Sequence, residues 1–140
     1  MISVIICTHN RSQVFEETVR SFLECHNDGI DYELVLVDNH SSDGTREISK
    51  RFAAANARIR CVTEPQEGLS RARNKGIRVS GGDIVAFVDD DGYFSPSWLT
   101  ALDSAFKRRD DIACIGGGSF RTSRPNVRRG SRTICYGSTA

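Results

Sequence analysis

Short runs of β-branched residues alternate with longer helix-like segments along this chain, and this alternation constrains the fold more than any other feature. Runs at 2–7, 32–37, 59–62 and 83–88 are typical of strands, and another follows at 112–115. Between them, apolar residues recur at helical spacing. Strands separated by helices indicate βαβ units, so we predict one α/β domain with a mainly parallel central sheet.

Composition narrows the class of protein. The 140 residues carry 19 Lys and Arg against 18 Asp and Glu, a formal charge of +1 that indicates no polyanionic partner.

The arginine-rich stretch 121–132 lacks interleaved aromatic residues, so we predict no nucleic-acid site there. It has two interpretations: a solvated surface segment, or a contact with anionic lipid or phosphate. Five cysteines without a CxxC pair favour reduced thiols in the cytoplasm. The apolar run 2–7 is too short for a signal peptide or a spanning helix.

Polar side chains gather where the predicted strands end. In open parallel sheets, ligands bind at the carboxyl ends of the strands, so the loops that follow the strands are the candidate site. The candidate residues are Thr8, His9, Asn10 and Arg11 after the first strand, Asp38 and Asn39 after the second, and Asp89, Asp90 and Asp91 after the strand at 83–88.

The acidic triplet raises an electrostatic question, because adjacent carboxylates repel each other when apolar structure excludes water. If the strand conformation persists, Asp89 and Asp91 lie on one side and Asp90 on the other. Two carboxylates on one side suit a hard cation such as Mg²⁺ or Mn²⁺. A solvated loop with a helix cap is the alternative interpretation.

Two further features have competing interpretations. Asp38 and Asn39 either form a simple turn or accept hydrogen bonds from a nucleobase or ribose. Arg71 and Arg73 are two residues apart, so on a helix they diverge and only one can point at the strand ends. A guanidinium there would bind phosphate well.

Four segments, taken together and in order, resemble family 2 of the inverting nucleotide-sugar glycosyltransferases, which have the GT-A fold. They are SVIICTHNR, ELVLVDNHSSDGT, GLSRARNKGI and IVAFVDDDGYFSPSWL. The resemblance covers the N-terminal part of that family, from Ile2 to about Phe120, and implies a Rossmann-like GT-A sandwich truncated before the acceptor half. Cys7 and His9 depart from the family's usual Pro and Tyr.

The resemblance implies roles for matching residues. The loop 8–11 would line a nucleotide pocket, Asp38 would bind the base, commonly uracil, with Asn39 beside it, and Arg73 would support the donor. A UDP-sugar is therefore the expected partner, with an acceptor that the sequence does not specify.

The acidic triplet would be the family's DxD motif. Asp91 would ligate Mg²⁺ or Mn²⁺ directly with Asp89 as the second metal residue, and Asp89 or Asp90 would contact ribose or sugar. The implied reaction transfers a sugar to an acceptor hydroxyl with inversion, using a carboxylate base.

No acidic residue follows Asp111, so we expect that base beyond residue 140. Residues 1–120 would then be the nucleotide-sugar-binding region, and 121–140 a basic, loosely structured tail leading toward the acceptor half. Contact with the inner face of a membrane is a further expectation, since the tail is basic.

Two other classes of protein compete with this interpretation. One is a non-catalytic nucleotide-binding or assembly module, or an inactive truncated enzyme. The other is a phosphoacceptor receiver domain, which also places aspartates at strand ends. A receiver needs an acid pair after the first strand, where this chain has Thr8 to Arg11.

Overall fold

The computed structural model describes residues 1–108 and 113–116, and the backbone of residues 134–137. The basic stretch 121–132 and Asp111 lie outside the described residues. The strands are β1 (Ile2–Thr8), β2 (Tyr32–Asp38), β3 (Ile59–Thr63), β4 (Ile84–Asp89), β5 (Cys114–Gly116) and β6 (Ile134–Gly137). The helices are α1 (Ser12–Leu23), α2 (Thr45–Ala55), α3 (Leu69–Val79) and α4 (Trp98–Arg108).

The strands form one sheet in the order β3-β2-β1-β4-β6-β5. Strands β3, β2, β1 and β4 are parallel, whereas β6 pairs antiparallel with both β4 and β5. This confirms the α/β fold with a mainly parallel sheet. Strand β6 was not predicted, and it lies within the segment 121–140 that was expected to be loosely structured. Its sequence, Ile-Cys-Tyr-Gly, suits a strand, but the long basic stretch before it conceals the signal.

Two apolar cores cover the two faces of the sheet. On one face, three helices pack on buried strand residues such as Leu34. They contribute Phe15 and Phe22 of α1, Phe52 of α2 and Leu99 of α4. On the other face, Ala72 of α3 packs with a smaller group: Ile5, Val35, Val37 and Phe87. The nearly continuous burial of β1 and β2 follows from this double coverage, because a parallel sheet with helices on both faces exposes neither face to solvent.

The amino-terminal edge of the sheet is fastened by a buried carboxylate. Glu33 accepts hydrogen bonds from Ser3 Oγ at 2.7 Å and from the backbone N of Gly81 at 2.5 Å, and its other oxygen lies 3.5 Å from Arg60. Since its partners come from β1, β3 and the loop before β4, Glu33 joins that loop to neighbouring strands. Its hydrogen bonds explain a buried acid far from the candidate site.

Helix α3 approaches β1 closely at Gly76. A Cβ at this position would lie 2.6 Å from Ile5 Cγ2 and 3.4 Å from Val37 Cγ2. Ile5 is fully buried, so its branched side chain has no free space to move into. The packing of α3 on the sheet therefore depends on the missing side chain.

We expect Gly76→Ala to lower the free energy of unfolding by about 1–3 kcal/mol, because overpacking outweighs the gain in helix propensity. Urea denaturation followed by circular dichroism measures this change. The control is Gly116→Ala, where an added Cβ meets no described atom within 4 Å and little change is expected. Equal stability of the two variants would contradict the close approach.

Among the described ranges, no helix is long and apolar enough to cross a membrane.

Candidate functional site

A cleft of about 620 Å³ opens at the carboxyl ends of β1 and β4. Most of the candidates chosen from the sequence line it, and Asn10, Asp38 and Arg73 do not. It is also lined by residues that the sequence reasoning missed. The full lining is Cys7, Thr8, His9, Arg11, Asn39, Glu67, Gly68, Leu69, Ala72, Asp89, Asp90 and Asp91.

The missed residues belong mainly to the loop after β3 and the start of α3. The rule that ligands bind at the carboxyl ends of parallel strands applies to β3 as well, and would have selected Glu67 and Gly68. Cys7 was missed because it lies within a strand rather than after it.

The acidic triplet does not keep the strand conformation. Strand β4 ends at Asp89, and the chain turns there, with the backbone N of Gly92 donating to the Asp89 carbonyl at 3.3 Å. Both Asp90 and Asp91 reach Arg11, whose Nη1 lies 3.4 Å from Asp90 Oδ1 and 3.2 Å from Asp91 Oδ2. The strand conformation on which the predicted alternation depended therefore stops at Asp89: Asp90 is not directed away from Asp91, and all three carboxylates line the cleft.

Helix α1 holds this acidic turn in place. The hydroxyl of Thr18 donates to the backbone carbonyl of Asp90 at 2.9 Å, and the phenol of Tyr93 donates to Glu17 at 2.6 Å. The backbone N of Phe94 donates to a third α1 side chain, the hydroxyl of Ser21, at 3.0 Å. The acidic residues are thus presented to the cleft by a backbone that is fixed on both sides of Asp91.

Burial raises the pKa values of two titratable groups of the cleft. It raises the pKa of Asp90 above the ordinary value, while the nearby Thr8 hydroxyl and Arg11 guanidinium act in the opposite direction. Burial also raises the pKa of the Cys7 thiol to about 12. At neutral pH this thiol is protonated, so it is a poor nucleophile.

A buried hydroxyl faces the acidic end of the cleft. Thr8 is 3% exposed, and its Oγ1 lies near the Asp90 carboxylate but meets hydrogen-bond geometry with no described residue. Since Thr8 lines the cleft, a ligand oxygen is a natural partner for this hydroxyl.

The two arginines of α3 diverge, as their spacing predicts. Arg73 Nη2 lies 3.7 Å from Asp89 Oδ1, and the Arg73 guanidinium stacks 5.5 Å from the centre of the Phe87 ring. Arg71 instead donates to the side chain of Gln66. Of the two, Arg73 is the one placed beside the acidic residues.

Asn39 connects the end of β2 to the loop after β3. Its Nδ2 donates to the carbonyls of Glu64 at 3.3 Å and Gln66 at 2.7 Å, and its Oδ1 accepts from the backbone N of Gly68 at 2.9 Å. Gly68 has a φ of 139°, in the region that favours glycine. Asn39 thus shapes the cleft wall. Its neighbour Asp38 is 1% exposed and accepts from the backbone of the next loop.

The loop after β1 is locked to the loop after β2. His9 Nδ1 donates to the Asn39 carbonyl at 2.6 Å, and Asn10 Oδ1 accepts from the backbone N of Ser42 at 2.7 Å. Asn10 has a φ of 51°, a conformation that asparagine tolerates better than most residues. Asp43 accepts from the first residues of both α1 and α2, at 3.1 and 3.0 Å. Asn10 therefore supports the cleft from outside it.

The acidic end of the cleft suits a cation that takes part of its coordination from a ligand. The described residues contain no group of three or more His, Cys, Asp or Glu side chains arranged to enclose a metal ion. Asp89 and Asp91 nevertheless both present carboxylates to the cleft. Mg²⁺ sites are commonly built this way, from one or two carboxylates completed by phosphate and water.

Comparison with known sequences gives a family. The sequence model of Glycosyl transferase family 2 matches residues 3–139, a range that includes β6. The uncharacterized glycosyltransferase EpsJ of Bacillus subtilis is 33% identical over 124 residues, which are 88% of this chain and 35% of that protein. The glucosyl-dolichyl phosphate glucuronosyltransferase of Haloferax volcanii is 29% identical over 118 residues, which are 83% of this chain and 37% of that protein. The chain thus spans little more than a third of either relative.

Solved structures share the fold. The mannosyltransferase PcManGT from Pyrobaculum calidifontis, in complex with GDP-Man and Mn²⁺, superposes with a TM-score of 0.75 and 23% identity over 97% of this chain and 44% of that one. S. aureus TarS 1-349 in complex with UDP-GlcNAc superposes with a TM-score of 0.72 and 21% identity, over 87% of this chain and 37% of that one. With this fold and a family match over nearly its whole length, the chain belongs to glycosyl transferase family 2.

Proposed function

We propose that the cleft binds a nucleoside-diphosphate sugar and that the chain is the donor-binding part of a metal-assisted transferase. The observation that carries this proposal is the meeting of Arg11 with Asp90 and Asp91 at one end of the cleft. Such an end can take both a diphosphate, through the guanidinium, and a cation, through the carboxylates. The nucleotide sugars named in the PcManGT and TarS complexes support the same ligand class.

The nucleotide would lie along the cleft with its base away from the acidic turn. Leu69 and Ala72 provide an apolar wall for the base, whose hydrogen-bonding edge would face the end of β2, where Asp38 and Asn39 lie. UDP is the nucleotide that we expect there, in line with the family's usual preference. Arg73, beside Asp89, would add positive charge on the diphosphate side.

We assign the metal-holding role to Asp91 and Asp89, with Mg²⁺ or Mn²⁺ as the cation. When bound, such a cation neutralises charge that develops on the departing diphosphate. Arg11 lies in the same part of the cleft and would add to that stabilisation. Asp90, the more buried carboxylate of the turn, would contact ribose or sugar.

The acceptor hydroxyl would attack the anomeric carbon from the side opposite the diphosphate, giving its proton to a carboxylate base while the bond from that carbon to the diphosphate oxygen breaks. A single displacement of this kind inverts the configuration at that carbon. For this step the cleft would hold the diphosphate still at the acidic turn, so that the bond to be broken points along the line of attack.

Calorimetric titration with UDP and GDP tests the donor proposal. We expect Mn²⁺ to raise nucleotide affinity by about tenfold or more, because cation and diphosphate attract each other in the shared site. Asp91→Asn should remove this enhancement, since an amide is a poorer ligand than a carboxylate.

The matched control is Asp83→Asn, at the opposite edge of the sheet, where the carboxylate pairs with the N-terminus and is 84% exposed. It should retain the full effect of Mn²⁺. Wild-type binding that is the same with and without Mn²⁺, or an Asp91→Asn variant that behaves like Asp83→Asn, would refute the metal-assisted donor site.

A further inference from the structure

We propose that Arg11 is a built-in counter-cation, which keeps a divalent cation from binding tightly to the acidic turn until a diphosphate draws the guanidinium away. This inference rests on the proposed function and assigns Arg11 the task of coupling the two ligands. It concerns the order and strength of binding rather than the identity of the donor.

The geometry places a single positive group between two acids. Arg11 Nη1 contacts Asp90 Oδ1 at 3.4 Å and Asp91 Oδ2 at 3.2 Å, so one nitrogen serves both carboxylates. The side chains of Asp90 and Asp91 are only 14% and 30% exposed, which limits screening by water. A cation held by Asp91 would therefore lie beside a permanent positive charge.

Arg11 has a fixed backbone and a movable side chain. Its backbone N donates to Thr45 Oγ1 at 3.3 Å, and its carbonyl accepts from the backbone N of Phe15 at 2.9 Å. Its side chain is 46% exposed, and its contacts to the acids are long for charged hydrogen bonds. The guanidinium can thus leave the acids without disturbing the start of α1.

The acids, by contrast, are held in place. The Thr18 hydroxyl fixes the backbone at Asp90, and the hydrogen bond between Gly92 N and Asp89 O closes the turn. When a cation or a diphosphate arrives, Arg11 is the partner that moves. It is better suited to move than Arg73, whose guanidinium stacks on the Phe87 ring.

The two ligands are coupled through this movement. A diphosphate offers Arg11 a bidentate anionic partner, which is stronger than two long contacts to carboxylates. Once Arg11 turns to the phosphates, the repulsion that opposes a cation at Asp91 is replaced by attraction. By reciprocity, the cation should then strengthen diphosphate binding by the same factor.

The test measures Mn²⁺ binding alone, without nucleotide, by electron paramagnetic resonance of the free ion. We expect Arg11→Gln to bind Mn²⁺ about fivefold to tenfold more tightly than wild type, because one nearby positive charge is gone. Arg11→Lys, which keeps the charge, should stay close to wild type. Unchanged far-ultraviolet circular dichroism would show that each variant is folded.

Arg71→Gln is the matched control. It removes the same charge from the protein, but Arg71 pairs with Gln66 and does not line the cleft. Its Mn²⁺ affinity should match that of wild type. The inference is overturned if Arg11→Gln binds Mn²⁺ no more tightly than wild type, if Arg71→Gln tightens binding equally, or if neither Arg11→Gln nor wild type binds Mn²⁺.

The role of Arg11 and the donor proposal can fail independently. If nucleotide binding does not respond to Mn²⁺ in the calorimetric titration, the metal-assisted donor site is refuted, whatever the free-ion measurement gives. Conversely, the role of Arg11 alone is refuted if wild-type nucleotide binding responds to Mn²⁺ while wild type and Arg11→Gln bind Mn²⁺ with equal affinity.

Discussion

Phe22→Ala is expected to lower the free energy of unfolding by about 3–5 kcal/mol, the largest effect anticipated for a single substitution in this chain. Phe22 is fully buried, and its ring makes edge contacts with Tyr32, Phe94 and Trp98 at centroid distances of 5.6, 5.1 and 6.3 Å. Alanine would leave a cavity among these rings and remove the aromatic contacts. Urea denaturation monitored by Trp98 fluorescence measures the loss.

Two further variants separate the causes. Phe22→Leu retains much of the volume but none of the ring contacts, so its loss should be clearly smaller than that of alanine. Val14→Ala, on the same helix but 42% exposed, should change stability by less than about 0.5 kcal/mol. A Phe22→Ala loss no larger than that of Val14→Ala would contradict the central position of the ring in the core.

Asn39→Asp is expected to destabilise the protein by about 2–3 kcal/mol and to weaken nucleotide binding at least tenfold, although it changes a single NH₂ group to oxygen. The Asn39 amide donates to two carbonyls, of Glu64 and Gln66. A carboxylate would instead face those oxygens without a proton to donate. The loop that forms the cleft wall at Gly68 would then be released.

Asn56→Asp is the control for this substitution. Asn56 uses only its oxygen in the hydrogen bond described for its side chain, accepting from the backbone N of Arg58 at 2.9 Å, and a carboxylate can do the same. Thermal unfolding and UDP titration of both variants should show a loss for Asn39→Asp and almost none for Asn56→Asp. If the two variants behave alike, the Asn39 side chain does not hold the loop.

The helices and parallel strands could be predicted because their signals are local. Runs of β-branched residues predicted β1, β2 and β4, and both ends of each of these strands lie within a residue or two of the predicted ends. The polar residues after those strands were also correctly expected to gather at one edge, because parallel strands present their carboxyl ends together. The cleft forms at that edge.

The direction of each site side chain could not be predicted, because it depends on contacts between distant parts of the chain. The turn at Asp90 is fastened by Thr18, and the partner of Asp91 is Arg11, both far away in sequence. Asn39 had two local interpretations, a turn or a base contact. Its bonds to the loop after β3 correspond to neither, because they join segments that only the folded sheet brings together.

The position of β6 has a consequence for how the protein is made. Strand β4, which ends at the acidic turn, has β1 on one side and β6 on the other, although β6 is the last strand described. While the ribosome is still adding the residues before 134, that side of β4 offers unpaired backbone groups to any other strand nearby. Until then, the strand that carries the candidate site is an edge open to wrong pairing with other chains, as β3 is at the other edge of the sheet, and the arrival of β6 ends that exposure for β4.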